Sequence, residues 1–198
     1  LKTKFRRQLK MQNINSENYK TAIFAGGCFW CMVSPFDVLD GIISVTSGYT
    51  GGELKSPTYK DVKSQGTGHY EAIKIIYDST IISYEKLLDA FWRQIDPTDD
   101  EGQFQDRGSS YIAAIFYMDE NQRIIAEKSK KVLNDSGRFP EEVVTRILPA
   151  STFYEAEEYH QEFYKTHPTE YKKDRSISGR DEFITKYWGD DYYKIYED

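Results

Sequence analysis

Only two cysteines occur among the 198 residues, and they stand three apart in Gly26-Gly27-Cys28-Phe29-Trp30-Cys31. The apolar run Thr21-Ala22-Ile23-Phe24-Ala25 precedes them and a helix-like segment follows, so the double glycine marks a sharp strand-to-helix turn. That turn places Cys28 in the first turn of the helix, where free N–H groups and the helix dipole favour a thiolate. Cys28 is therefore the expected nucleophile. Three readings of the pair stand side by side. A first thiol attacks and the second closes a disulfide; or the pair is half of a zinc site, which needs about four ligands; or two small thiols pack a core. For zinc the chain offers only His69, His160 and His167 besides, with no second cysteine pair, so no metal or other cofactor is expected.

Phe29 and Trp30 lie between the thiols, and two rings beside a nucleophile can wall off a methyl group of a substrate as readily as they can fill a core. Gly66-Thr67-Gly68-His69-Tyr70-Glu71 puts a carboxyl after a glycine turn at the mouth of a strand. Half-buried there, Glu71 is a protonated acid; on an edge strand it is a solvated charge, the commoner fate of such a residue. His69 reads as a hydrogen-bonded loop residue rather than a base. Asp106-Arg107-Gly108-Ser109-Ser110-Tyr111 reads as a turn entering a strand, and with 16 tyrosines in the chain no single one stands out by type.

The elements that must hold these groups alternate irregularly. Residues 21–25 read as a buried strand, Phe29 to Leu39 as a helix that Pro35 can bend, and Ile42 to Tyr49 as a strand. It runs into Gly48-Tyr49-Thr50-Gly51-Gly52, and a glycine-rich loop through Pro57-Thr58-Tyr59 and Gly66 follows, of a length that points to function. Glu71 to Tyr77 reads as a strand. Ser83 caps a helix with Tyr84, Leu87, Leu88, Phe91, Trp92 and Ile95 on one face. Tyr111 to Tyr117 and Val143 to Leu148 read as strands, Asp119 to Asn134 as a helix ended near Gly137. A further helix is expected over Glu155 to Thr166, with Ala156, Tyr159, Phe163 and Tyr164 inward and His167-Pro168 as its stop. The reading is one α+β domain over residues 20–198, a sheet covered by helices, with an aromatic tail and a basic or polar extension over residues 1–19.

Charge and composition narrow the function classes. A net charge of -6 argues against a phosphate-binding surface and hence against nucleic acid. Leu1 to Lys10 carries five basic residues and no acidic one, leaving 21 basic against 32 acidic residues from Met11 onward. That leader reads as vector-derived sequence or a targeting device, and it lacks the apolar core of a secretory signal. No apolar run approaches the ~18 residues that cross a bilayer. A lone C-x-x-C without a wider disulfide framework suits a reducing compartment, so the expectation is a cytoplasmic protein.

The motifs taken together, with Phe104-Gln105-Asp106-Arg107-Gly108-Ser109-Ser110-Tyr111 and Tyr159-His160-Gln161 among them, resemble the A-type peptide methionine sulfoxide reductases in order and spacing over roughly residues 20–168. The resemblance implies a two-layer α/β sandwich around a mixed, largely antiparallel sheet, a ferredoxin-like plait. It implies thiol-dependent reduction of methionine S-sulfoxide, free or in proteins, by a monomer that thioredoxin recharges. By the same resemblance Cys28 is the nucleophile, Phe29 and Trp30 hold the substrate methyl, and Glu71 is the acid that protonates the sulfoxide oxygen. Tyr59 and Tyr111 bind that oxygen, and Asp106 orders the polar side of the site. For this division Glu71 must be pushed up by burial while the helix start pulls the Cys28 thiol down. Many relatives carry recycling cysteines in a C-terminal tail, which here has none, so either Cys31 takes the resolving role, by elimination, or an external reductant attacks the Cys28 sulfenic acid directly. The alternatives are a general dithiol-disulfide oxidoreductase, with no need of Glu71, Tyr59 or Asp106, and a non-catalytic module that binds methionine peptides.

Overall fold

The protein, described here from a computed structural model over residues 16–197, is built on a six-stranded sheet. The basic leader Leu1 to Lys10 lies outside the described residues. Strand β1 (Tyr19–Ala25) enters helix α1 (Phe29–Asp37), β2 (Ile42–Thr50) follows, and the short helix α2 (Tyr59–Lys63) lies in the glycine-rich connection before β3 (Tyr70–Asp78). Helix α3 (Tyr84–Trp92) leads to a two-residue hairpin, β4 (Gly102–Gln103) and β5 (Asp106–Arg107), then to β6 (Ala114–Tyr117), α4 (Glu120–Asp135), β7 (Arg146–Pro149) and β8 (Tyr154–Glu155). Three α-helices follow, α5 (Phe163–Thr166), α6 (Pro168–Ile177) and α7 (Arg180–Tyr187), and then a 3-10 helix (Gly189–Tyr196).

The sheet order is β7-β6-β1-β3-β2-β8. Every neighbouring pair is antiparallel except β6 with β7, which is parallel, so the sheet is mixed and largely antiparallel as expected. The inner four strands, β6-β1-β3-β2, are linked by α1 between β1 and β2 and by α3 between β3 and β6, which is the ferredoxin-like plait. Alternation along β1 sorts its side chains, with Ala22 and Phe24 in the helix-covered core and Ile23 and Ala25 on the other face. The expected face of α3 is buried throughout, and Ser83 caps it by accepting the Lys86 N–H at 3.1 Å.

The first helix ends at Asp37 and not at Leu39, and three segments differ more from the sequence reading. The strand expected from Tyr111 begins at Ala114, because Ser109–Tyr111 forms a 3-10 turn. The strand expected from Val143 begins at Arg146, because the Val144 N–H is taken by the Pro97 carbonyl at 2.8 Å instead of a sheet partner. The helix expected over Glu155 to Thr166 is broken. Glu155 pairs with Gly48, Glu158–His160 is a 3-10 turn, and Glu162 adopts a left-handed φ of 49°. Tyr159, expected inward, is 51% exposed. The expected stop at His167-Pro168 holds, since α5 ends at Thr166 with His167 as its C-cap, and Pro168 also starts α6, where the first helical residue needs no N–H. The aromatic tail packs home as well, burying Ile184, Trp188 and Ile195 in the main core.

Candidate active site

The turn between β1 and α1 takes its shape from the two glycines. Gly27 has φ +80°, and a Cβ there would come within 2.6 Å of Gln103 Cβ; at Gly26 it would meet Met32 Sδ at 2.6 Å. Cys28 is the N-cap residue of α1, and Cys31 sits one turn in, with its N–H on the Cys28 carbonyl at 3.1 Å. Both thiols are free and buried.

Glu71 is not an edge charge. It lies on β3, between β1 and β2, on the same face as Ile73, Ile75 and Tyr77, and is 2% exposed beneath the start of α1. Its Oε2 accepts the Phe29 N–H at 3.1 Å, so the acid is tied to the residue that follows Cys28. Burial pushes its pKa from 4.5 up to about 8, against the pull of that N–H and with help from the nearby Asp106 carboxylate. Glu71 is thus mainly a neutral acid at pH 7, anchored through Oε2.

The thiols diverge from expectation. Cys28 is pushed well above its ordinary value, first by sharing a hydrogen bond with Cys31, then by burial and by the carboxylates of Glu71 and Asp106. The helix start does not rescue it, because the Phe29 N–H that faces the cap is used by Glu71 and the Cys28 side chain makes no capping bond. Cys31 moves the other way, to about 7, through the hydrogen bond from Cys28 and the guanidinium groups of Arg180 and Arg175, against the cost of burial. Of the two thiols, Cys31 is therefore the one favoured as thiolate and Cys28 the one favoured as thiol.

Aromatic groups complete the cup. Phe29 lies 5.9 Å from Tyr49, 6.4 Å from Tyr59 and 5.3 Å from His160, centroid to centroid, while Trp30 stacks on Phe163 at 3.8 Å. Tyr59 begins α2 behind a capping box made by Thr58 and Asp61. Tyr111 arrives from the 3-10 turn after the hairpin. Burial first, and then the Glu71 charge, raise both phenols, which keep their protons as donors, and Tyr111 hydrogen-bonds Tyr59. Asp106, half-buried on β5, is raised by burial and by Asp174. Cys28, Glu71, Tyr59, Tyr111, Asp106, Phe29 and Trp30 are therefore one constellation, with Cys31 at its inner edge.

The residues that hold these groups in place had no such role in the sequence reading, although His160 and Gln161 lie in one of its motifs. Glu157 accepts the Tyr49 hydroxyl at 2.7 Å and the Tyr59 N–H at 2.8 Å. His160, shifted down by burial and so a neutral acceptor, takes the Trp30 Nε1–H on Nδ1 at 3.2 Å. Gln161 grips both the N–H and the carbonyl of Ser47, each at 2.9 Å. Arg180, 1% exposed, donates to the Gly26 carbonyl at 2.9 Å and to the Gln94 carbonyl, and stacks on Phe104. A lone arginine in a charged tail gives no sequence signal for this. Of the three histidines weighed as zinc ligands, none joins the thiols. Among the described residues the donor cluster around them is completed by Asp174, with ligand atoms within 4.8 Å of one another. His69 instead ties Leu54 to Gly52.

Comparison with known proteins agrees with this geometry. A family model described as peptide methionine sulfoxide reductase matches residues 20–192. The chain is 58% identical to the peptide methionine sulfoxide reductase MsrA of Halalkalibacterium halodurans, over 85% of this chain and 96% of that one. It is 59% identical to the MsrA of Ligilactobacillus salivarius, over 85% of this chain and 97% of that one. Among solved structures, reduced Mxr1 of Saccharomyces cerevisiae superposes with a TM-score of 0.74 at 28% identity, covering 79% of this chain and 90% of that one.

Proposed function

Since the chain belongs to the peptide methionine sulfoxide reductase family, we propose that it reduces the S epimer of methionine sulfoxide, free or in proteins, through Cys28 and Glu71. The observation that carries the reading is the buried, neutral Glu71 hydrogen-bonded to the N–H next to Cys28. A sulfoxide oxygen leaves only if it is protonated or strongly hydrogen-bonded while the sulfur is attacked, and this carboxyl is poised to supply that proton.

The substrate methyl lodges against Phe29 and Trp30, with the oxygen toward Glu71, Tyr59 and Tyr111. The Cys28 thiol passes its proton to the Cys31 thiolate with which it shares a hydrogen bond, and the Cys28 sulfur attacks the sulfoxide sulfur. Glu71 protonates the oxygen, which moves to Cys28 as a sulfenic acid while methionine departs. Asp106 keeps the polar side of the cup ordered. Cys31 then closes a disulfide with Cys28, and thioredoxin reduces it; with no other cysteine in the chain, no alternative internal thiol exists. The lone C-x-x-C supports a reducing, cytoplasmic setting, and no helix among the described residues is long and apolar enough to cross a membrane. We take residues 20–198 as the catalytic unit, working as a monomer.

The test is racemic methionine sulfoxide with dithiothreitol. Consumption of one epimer with release of methionine, lost in Cys28→Ser, is expected; no methionine release would leave only a binding module. Cys31→Ser should still release one methionine per chain but fail to cycle with thioredoxin, and normal cycling would remove Cys31 from the resolving role. Turnover independent of Glu71 would favour a general dithiol oxidoreductase.

A further inference from the structure

The two sulfurs of the site differ in their charged neighbours, Glu71 and Asp106 for Cys28 and two guanidinium groups with Asp174 for Cys31, and the groups around Cys31 come from the cysteine-free C-terminal helices. Pro35 lacks an N–H, so the Cys31 carbonyl four residues earlier has no helical partner. Arg175 of α6 fills that gap, with Nη1 3.4 Å from the Cys31 carbonyl, and is itself held by Asp181 at 2.7 Å and by the Tyr171 hydroxyl at 3.3 Å. Arg180 approaches from the other side, on the Gly26 carbonyl and 3.7 Å from Met32 Sδ. One turn of these contacts brings in Asp174. Its carboxylate accepts from Gln105 Nε2 at 3.2 Å, and a carboxylate oxygen lies within 4.8 Å of both sulfurs.

We propose that Asp174 is the proton relay of the recycling half-reaction, carrying a proton from the Cys31 thiol to the hydroxide that leaves Cys28. The inference rests on the reading of Cys31 as the resolving residue. In the first half-reaction Cys31 takes up the Cys28 proton, so it must shed a proton before it can attack. Asp174 accepts it; the Cys31 sulfur forms the S–S bond as the Cys28 S–O bond breaks; the departing hydroxide takes the proton from Asp174 and leaves as water. The Cys28 sulfur is reduced and the Cys31 sulfur oxidised by the same amount, so no outside oxidant enters. Arg175 and Arg180 act differently: fixed cations beside Cys31, they hold the attacking sulfur as a thiolate once the proton has gone. Glu71, Asp106, Tyr59 and Tyr111 act on Cys28, and Glu71, having given up its own proton, and Asp106 are the competing bases.

The experiment follows both half-reactions in the full chain after one equivalent of methionine S-sulfoxide, reading methionine release and, by rapid thiol alkylation, Cys28–Cys31 disulfide formation. In Asp174→Asn, which keeps a Gln105 partner, disulfide formation should fall at least tenfold further than methionine release, and Cys28 sulfenic acid should become trappable by dimedone. Asp174→Glu should recover most of the loss, and the disulfide rate in Asp174→Asn should gain a rise with pH that the parent lacks. Disulfide formation in step with methionine release in the Asn variant overturns the relay. Failure of the underlying reading looks different: the parent itself would then form no Cys28–Cys31 disulfide.

Discussion

Replacing Glu71 by Gln is expected to slow sulfoxide reduction and to stabilise the protein, the second effect growing with pH. Burial raises the Glu71 pKa from 4.5 to about 8, so between those values the folded chain keeps a proton that the unfolded chain releases. Stability must then fall as pH rises through that window. Below pH 4.5 both states are protonated and Glu71 imposes no penalty. At ~1.4 kcal/mol per unit, the penalty reaches about 3 kcal/mol at pH 7 and about 5 kcal/mol well above pH 8. Glutamine has no proton to lose, and the other titrating groups cancel to first order in the difference between variants. Urea midpoints of the two proteins, with thiols kept reduced, should therefore diverge from near coincidence at pH 4 to a gap of about 3 kcal/mol at pH 7. Turnover should drop by about 100-fold or more for want of the acid. A stability difference that stays flat from pH 4.5 to 8 would mean that Glu71 ionises as in water, and the proposed acid would be lost with it.

Under the proposed role of its hydroxyl on the sulfoxide oxygen, Tyr59→Phe should lower kcat by about 10-fold to 100-fold with little change in the urea midpoint. Arg180→Met leaves the Gly26 and Gln94 carbonyls without their donor and should cost about 3 kcal/mol of stability, read in the same urea titration. It should also raise the Cys31 pKa, followed by thiolate absorbance at 240 nm on Cys28→Ser backgrounds. Gly27→Ala forces a left-handed backbone on alanine and a 2.6 Å approach to Gln103, and should cost about 2 kcal/mol or more with loss of thiol reactivity.

The sequence made legible what depends on local periodicity. The strand before the double glycine, the Ser83-capped α3 and the α4 helix ended at Gly137 all follow from patterns inside a dozen residues. Glu71 was legible too, through a signal that its charge obscures. Glu71, Ile73, Ile75 and Tyr77 share one parity on β3 and Lys74 and Asp78 the other, so the carboxyl belongs to the apolar face. The region from Glu155 to Pro168 was not legible, because its conformation is fixed from outside by Gln161 on Ser47 and by Glu157 on Tyr49 and Tyr59, each about a hundred residues away in sequence. The thiol electrostatics failed for the same reason. A cysteine at a helix start reads as acidic, yet the nearest N–H went to a carboxyl from a strand 42 residues on, and the cations came to its neighbour from the chain's end.

The proline inside α1 gives the last thirty residues an unexpected standing. By subtracting one hydrogen it opens a socket on the residue proposed to resolve the sulfenic acid, and the plug is a guanidinium from α6. A chain cut short before that helix would keep both sulfurs but lose this guanidinium together with Arg180 and the Ile184, Trp188 and Ile195 side chains that fill the main core. The end of the chain thus couples the surroundings of Cys31 to the stability of the whole fold.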